Sequence, residues 1–240
     1  MTDLTGKVAI VTGSTKGIGL AVAEHMAAAG ASVVVSARTA RDVRATAKRL
    51  ATSARGTVLG IPCDVGDPAE CASLMEETVG RVGRLDILVN NAGLGIIKPI
   101  TELSIEEWRL QVDVNLGGVF YCSKAALPHL VASGDGWIIN IGSLACRNSF
   151  AGGTGYNASK FGLLGMTEAL MLDVRHSGVR VSLVMPGSVN TDFSGRHRRS
   201  ERDWRLEADD CALAVMQLLE YPKEAHVSRI EMRPSRPAKG

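Results

Sequence analysis

Two side chains with acid–base capacity, Tyr156 and Lys160, stand four residues apart in Tyr156-Asn157-Ala158-Ser159-Lys160. On a helix that spacing puts them on one face. A free tyrosine titrates near ~10 and is a poor base at neutral pH. A nearby ammonium favours the phenolate, so Lys160 is expected to lower that value and bring Tyr156 toward proton exchange with a bound oxygen. The spacing alone also suits a solvated pair on an amphipathic helix, so it needs support from elsewhere in the chain.

A second chemistry is phosphate binding. Thr12-Gly13-Ser14-Thr15-Lys16-Gly17-Ile18-Gly19 follows an apolar β-branched run and opens a helical pattern. Glycines here let the backbone approach a pyrophosphate, and a helix N-terminus offers free N–H groups at a positive dipole end. The spacing is GxxxGxG, unlike the GxGxxG of the usual dinucleotide fingerprint. After the next apolar run, Val35-Ser36-Ala37-Arg38-Thr39 carries no carboxylate until Asp42. An acid at this point suits a ribose 2′-hydroxyl, whereas an arginine suits a 2′-phosphate. Arg38 can take a phosphate through two N–H groups, and Lys16 adds a second charge. NADP(H) is expected in preference to NAD(H).

The elements that must position these groups follow from periodicity. Short apolar runs at 8–12, 33–36, 58–61, 85–89, 137–141, 179–184 and 227–232 read as strands. Helical patterns at about 17–29, 40–54, 67–82, 105–115, 116–132, 155–177 and 207–219 alternate with them. Near-continuous apolar strands separated by helices predict a parallel sheet covered on both faces. The expected fold is α/β, a doubly wound, Rossmann-like sheet in a three-layer α/β/α sandwich, with residues 1–240 as a single domain.

Taken in order, the glycine turn, Asn90-Asn91-Ala92-Gly93, Ser143, Tyr156 with Lys160, and Pro186-Gly187 resemble the short-chain dehydrogenase/reductase family. The resemblance runs from Lys7 to about Thr191 and implies hydride transfer between a nicotinamide and a carbonyl or alcohol carbon of a small molecule. Ser143, thirteen positions before Tyr156, would bond the substrate oxygen, and Tyr156 would exchange a proton with it. Lys160 would hold the nicotinamide ribose, and Asn115 matches the family asparagine that supports a water relay to that lysine. Asp64 and Val65 would meet adenine, and Asn90 with Asn91, Ala92 and Gly93 the adenine ribose. Val189 would reach the carboxamide, and Thr191 would close over the cofactor. Leu94, Ile96, Leu144, Cys146, Phe150, Ser188 and Phe193 are expected to line an apolar substrate pocket.

Two departures from the family pattern stand out. Gly142 replaces a serine common before Ser143, which is expected to leave catalysis intact and widen the site slightly. The end Arg229-Ile230-Glu231-Met232-Arg233-Pro234 lacks the Asp-Gly-Gly of many acyl-carrier-protein reductases, which disfavours a 3-oxoacyl-thioester substrate. A substrate lid is expected around residues 192–206. Its Arg196, Arg198, Arg199 and Arg202, set against Glu201 and Asp203, are either a site for an anionic substrate or a solvated loop. An NAD-linked alcohol dehydrogenase, an epimerase or dehydratase, and a non-catalytic dinucleotide-binding module are the competing readings.

Composition narrows the rest. A net charge of +2 and few aromatic residues argue against a nucleic-acid partner. Cys63, Cys71, Cys122, Cys146 and Cys211 show no metal-like spacing and read as buried and reduced, so no metal is expected. No basic segment followed by an apolar one opens the chain, and Glu24, His25 and Gly30 interrupt the most apolar stretch. A cytoplasmic protein with no membrane partner is expected, and the family resemblance implies a homotetramer or homodimer.

Overall fold

The computed structural model describes residues 2–193 and 204–236. The β-branched runs form β1 (Val8–Thr12), β2 (Ser32–Ser36), β3 (Val58–Gly60), β4 (Ile87–Asn90), β5 (Gly136–Ile141), β6 (Val179–Pro186) and β7 (Arg229–Met232). They pair in parallel in the order β3-β2-β1-β4-β5-β6-β7. Side chains alternate across the sheet. Ala9, Val11, Val33, Val35, Val89 and Ile139 pack toward α1 (Gly17–Ala28) and α7 (Ala208–Leu218). Ile10, Val34, Leu88, Ile138 and Val181 pack toward α3 (Pro68–Val82) and α5 (Gly118–Ala132). Burial of both faces explains why β1, β4 and β5 are apolar without a polar alternation. This is the doubly wound α/β/α arrangement expected from the sequence.

The helix starts differ in a way that matters for the site. Asp67 caps α3, accepting from Ala69 N (2.8 Å) and Glu70 N (3.4 Å). Ser104 and Glu107 form a reciprocal capping box on α4 (Ile105–Val112), with both bonds at 3.1 Å. By contrast, α1 has no side-chain cap and no acidic residue in its first turn. Its first N–H groups are left for another partner.

Two helices were expected across 105–132; instead α4 runs into α5 through a π-helical turn, Asp113–Gly117. The extra residue in that turn changes which side chains face the sheet, a local geometry often found at functional sites. After β1 the chain crosses to one face of the sheet and after β4 to the other. The strand ends of β1 and β4 therefore part at a topological switch point, where a crevice opens. The last helix of this side, α6 (Thr154–Val174), and α2 (Ala40–Leu50) complete the layers. Among the described residues no helix is long and apolar enough to cross a membrane.

Candidate active site

A cleft of about 1070 Å³ runs across the carboxyl ends of the strands. Its β1–β2 half is built mainly from backbone. Thr12 Oγ1 accepts from Asn91 N (3.0 Å) and Ala92 N (3.1 Å), while Asn91 Nδ2 donates to Thr12 O (2.9 Å) and Gly13 O (3.1 Å). These bonds draw the glycine turn onto the end of β4. A Cβ at Gly13 (φ +64°) would lie 2.8 Å from Ala92 Cα, and one at Gly19 would collide with the Asn91 amide. Gly17 (φ +57°) lines the cleft beside Thr191. Only glycine permits this approach.

Thr15, Lys16, Ile18, Arg38 and Thr39 line the same half, with Asp64, Val65, Ala92 and Gly93 opposite. Asp64 Oδ1 accepts from Gly66 N (3.0 Å), which holds the turn after it. The side chain of Ser14 does not reach the cleft. It is fully buried, donates to Val11 O (2.6 Å) and accepts from Ser36 N (3.0 Å), so it ties β1 to β2. Asn90 is likewise turned inward, since successive strand residues face opposite sides. It donates to Ser123 Oγ (3.1 Å) and Asn140 Oδ1 (2.9 Å) and does not line the cleft. An uncapped helix start, a glycine cradle that a Cβ would fill and two cations at the rim fit a nicotinamide dinucleotide.

The acid–base groups gather under the middle of the cleft. Ser143 follows β5 and caps the short turn after it, accepting from Ala145 N (3.1 Å). Ser143 and Tyr156, the latter in the first turn of α6, line the cleft together, and the Ser143 hydroxyl favours the Tyr156 phenolate. Lys160, one turn on and buried, donates to Ile141 O (3.1 Å), with Nζ 5.9 Å from the Tyr156 ring centre. Burial pushes the Tyr156 hydroxyl up to about 12, outweighing the nearby Ser143 hydroxyl, which favours the phenolate, and the Cys146 thiol adds to the rise. Lys160 does not bring this value down as its spacing suggests: burial depresses the lysine too, and its Nζ donates to the Ile141 carbonyl. At neutral pH the protein holds Tyr156 in its proton-donating form.

Asn115, fully buried in the π-helical turn, accepts from Leu94 N (2.8 Å) and donates to Leu94 O (2.8 Å) and Ser159 Oγ (3.0 Å). It anchors the loop after β4 to α6 from beneath the cleft.

The β5–β6 half is walled by side chains. Leu94, Leu144, Phe150, Ser188 and Phe193 all line it. Two expected residues do not. Ile96 donates its N–H to Gln111 Oε1 (2.9 Å), and its neighbour Ile97 faces the cleft instead. Cys146 is fully buried against Val119, Leu163, Leu183 and Met185, beneath the cleft floor. It also accounts for Gly142, where a Cβ would lie 2.9 Å from Leu183 Cδ1 and 3.0 Å from Cys146 Sγ. The glycine admits core side chains; it does not widen the pocket.

Pro186, Gly187, Val189 and Thr191 pass along the floor. Gly187 N donates to Met232 O (2.8 Å), Leu206 N to Ser188 O (3.0 Å) and Asn190 N to Leu206 O (2.8 Å). Arg196, Arg198, Arg199 and Arg202 lie outside the described residues. All five cysteines are buried and free, and among the described residues no group of side chains could hold a metal.

The sequence profile described as short chain dehydrogenase matches residues 7–202. The chain belongs to the short-chain dehydrogenase family. This short-chain dehydrogenase is similar to an uncharacterized oxidoreductase of Staphylococcus saprophyticus, 35% identical with 98% of this chain and 100% of the relative covered. Its fold is similar to that of an alcohol dehydrogenase from the archaeon Thermococcus sibiricus, solved with 5-hydroxy-NADP. The TM-score is 0.90 and the identity 30%, with 97% of this chain and 99% of the other covered. A metagenomic short-chain oxidoreductase solved with NADP gives a TM-score of 0.84 at 33% identity, covering 98% and 100% of the two chains. The protein is an oxidoreductase of this family.

Sequence reasoning missed the supports beneath this short-chain dehydrogenase site. Gln111 is fully buried and holds Ile96, one turn before Asn115 holds Leu94. Asn140 donates to Thr167 Oγ1 (2.9 Å), extending the Asn90 chain to α6. Asn157 donates to Ala145 O and Asn148 O, both at 3.0 Å, fastening the Ser143 loop. A polar residue inside an otherwise apolar strand, such as Asn140 in Trp137-Ile138-Ile139-Asn140-Ile141, was the available signal.

Proposed function

We propose that the protein is an NADP(H)-dependent reductase of small carbonyl compounds that also runs in the alcohol-oxidising direction. The observation that carries this reading is that Ser143, Tyr156 and Lys160 line one half of a cleft whose other half is a glycine cradle flanked by Lys16 and Arg38. The bound nicotinamide supplies or accepts the hydride. Ser143 donates a hydrogen bond to the substrate oxygen and steadies the charge that develops there. Tyr156, protonated at neutral pH, transfers its proton to that oxygen; in the reverse direction it receives the alcohol proton. Lys160 takes the ribose hydroxyls, Asn115 fixes the loop beside it, and Asp64 and Val65 bound the adenine. Arg38 and Lys16 hold the 2′-phosphate.

Asp42 also lines the Arg38 rim, and its carboxylate is the observation that favours the alternative, an NAD(H)-linked alcohol dehydrogenase. Titration of the tryptophan fluorescence with NADPH and NADH, repeated on Arg38→Ala, separates the two. NADPH preference that disappears in the variant supports the first reading, and NADH preference or an unchanged variant overturns it. Loss of turnover in Tyr156→Phe with retained cofactor binding tests the catalytic assignment.

The same reading treats residues 1–240 as one domain of a cytoplasmic enzyme, with 192–206 as the lid. The pairing of 188–190 with Leu206 supports the lid, because it brings both ends of the segment beside the cleft. A homotetramer or homodimer is supported by exposed Trp108, Phe120, Phe161 and Leu172 on α4, α5 and α6. Light scattering of the eluted protein tests it.

A further inference from the structure

Three large apolar side chains stand open at the substrate end of the cleft. Ile97 is 43%, Phe150 45% and Phe193 40% exposed, an unusual grouping for a surface unless something covers it. The two rings bracket the acid–base centre. The Phe150 ring centre is 6.4 Å from that of Tyr156 at an interplanar angle of 49°, and the Phe193 ring centre is 5.9 Å from it at 58°. Tilted rings at such separations present faces and edges that another aromatic ring can meet in stacked or edge-on fashion.

The Phe150 wall is fixed in place, not a loop caught in one pose. Phe150 N donates to Asn157 Oδ1 (3.3 Å), and Asn157 Nδ2 holds the carbonyls of Ala145 and Asn148 in the same loop. Gly153 makes room for the ring, since a Cβ there would lie 2.9 Å from Phe150 Cε2. Lys98 N donates to Gly152 O (2.9 Å), which joins the Ile97 wall to the Phe150 wall. A pre-formed slot binds a rigid, flat ligand with little ordering cost.

Among the described residues, the cations lining the cleft are Lys16, Arg38 and Lys160. The first two sit at the dinucleotide end, and Lys160 is buried and bonded to Ile141 O. The described substrate end thus supplies apolar and aromatic walls beside a hydroxyl pair; Arg196, Arg198, Arg199 and Arg202 lie outside the described residues.

From this we infer that the substrate is a ketone carrying a flat aromatic ring on one side of the carbonyl, seated between Phe150 and Phe193 with its oxygen toward Ser143 and Tyr156. The inference rests on the reductase reading above. In the reaction the carbonyl carbon gains a hydride from NADPH as the C=O π bond opens, and the oxygen takes the Tyr156 proton. The products are a secondary alcohol and NADP⁺, and Tyr156 regains its proton from solvent.

The test compares acetophenone with cyclohexyl methyl ketone, its saturated counterpart of similar bulk, and with pyruvate. The expected kcat/KM for acetophenone exceeds that for the saturated ketone by roughly tenfold, the worth of two aromatic contacts. In Phe150→Leu and Phe193→Leu that ratio falls toward unity. Saturation-transfer NMR on the protein reads binding without turnover and should show the same order, with weaker acetophenone signals in both variants. A saturated ketone or pyruvate that performs as well as acetophenone, or a ratio unmoved in both variants, overturns the aryl slot. If neither NADPH binding nor carbonyl turnover is found, the reductase reading fails, and the NMR ranking still decides the slot.

Discussion

The two halves of the cleft are built from different materials. The dinucleotide half is backbone: glycines pressed against Asn91 and Ala92, and a helix start left uncapped. The substrate half is side chain: Phe150, Phe193, Ile97 and Leu144 around a half-buried tyrosine. Backbone donors recognise what every dinucleotide shares and leave no room for variation, whereas side-chain walls can be exchanged without disturbing the sheet. The difference assigns the common chemistry to one half and the choice of substrate to the other.

The comparison breaks most sharply at Tyr156. Tyr156→Phe removes the proton donor and keeps the ring that packs with Phe150 and Phe193. Turnover should fall by about 10²- to 10⁴-fold while NADPH affinity, read by fluorescence titration, stays unchanged. A comparable loss of NADPH binding would mean the halves are not separable. Arg38→Ala should act in the opposite sense. Losing a charge-assisted bond of about 1.5–3 kcal/mol weakens NADPH by roughly 10- to 100-fold, with NADH affinity and kcat retained.

Gly13→Ala tests the backbone half itself. The new Cβ would press on Ala92 at a left-handed backbone position, at a cost of about 1–3 kcal/mol, read as a lower denaturant midpoint together with weaker binding of both cofactors. Gln111→Leu should have a smaller effect. It orphans the Ile96 N–H, costs about 1 kcal/mol by denaturation, and raises KM for the ketone while leaving NADPH affinity alone.

The finest test is titration. Tyr156 is raised from an ordinary value of 10.0 to about 12 in the folded protein. The neutral hydroxyl is the form the fold favours, so its contribution is fully present below pH 10 and is lost as pH rises toward about 12. The ultraviolet difference between wild type and Tyr156→Phe should show phenolate only on that alkaline limb. A phenolate signal near neutral pH in the ligand-free protein would restore the Lys160 argument.

Much of this was legible in the sequence because it is local. Apolar runs mark strands that are buried on both faces, and the glycine turn lies between β1 and α1 where the motif requires it. Tyr156 and Lys160 share a helix face because of the helical repeat. The residues misjudged were those where one position changes direction. Asn90 points into the core while Asn91 points to the glycine turn, and Ile96 meets Gln111 while Ile97 meets the cleft. Motif order identifies such a segment but not which of two adjacent side chains looks outward.

The sequence by itself determined the sheet, the family, the glycine turn between β1 and α1 and the shared helix face of Tyr156 and Lys160, because each depends on periodicity or on a few residues close in the chain. Only the tertiary structure decided the state of Tyr156, since burial comes from everything packed around it. It also decided the π-helical turn that aims Asn115, the descent of Cys146 into the core, and the approach of Phe150 and Phe193 to the Tyr156 ring. Those contacts join segments far apart in sequence, and their geometry exists only once the layers have packed.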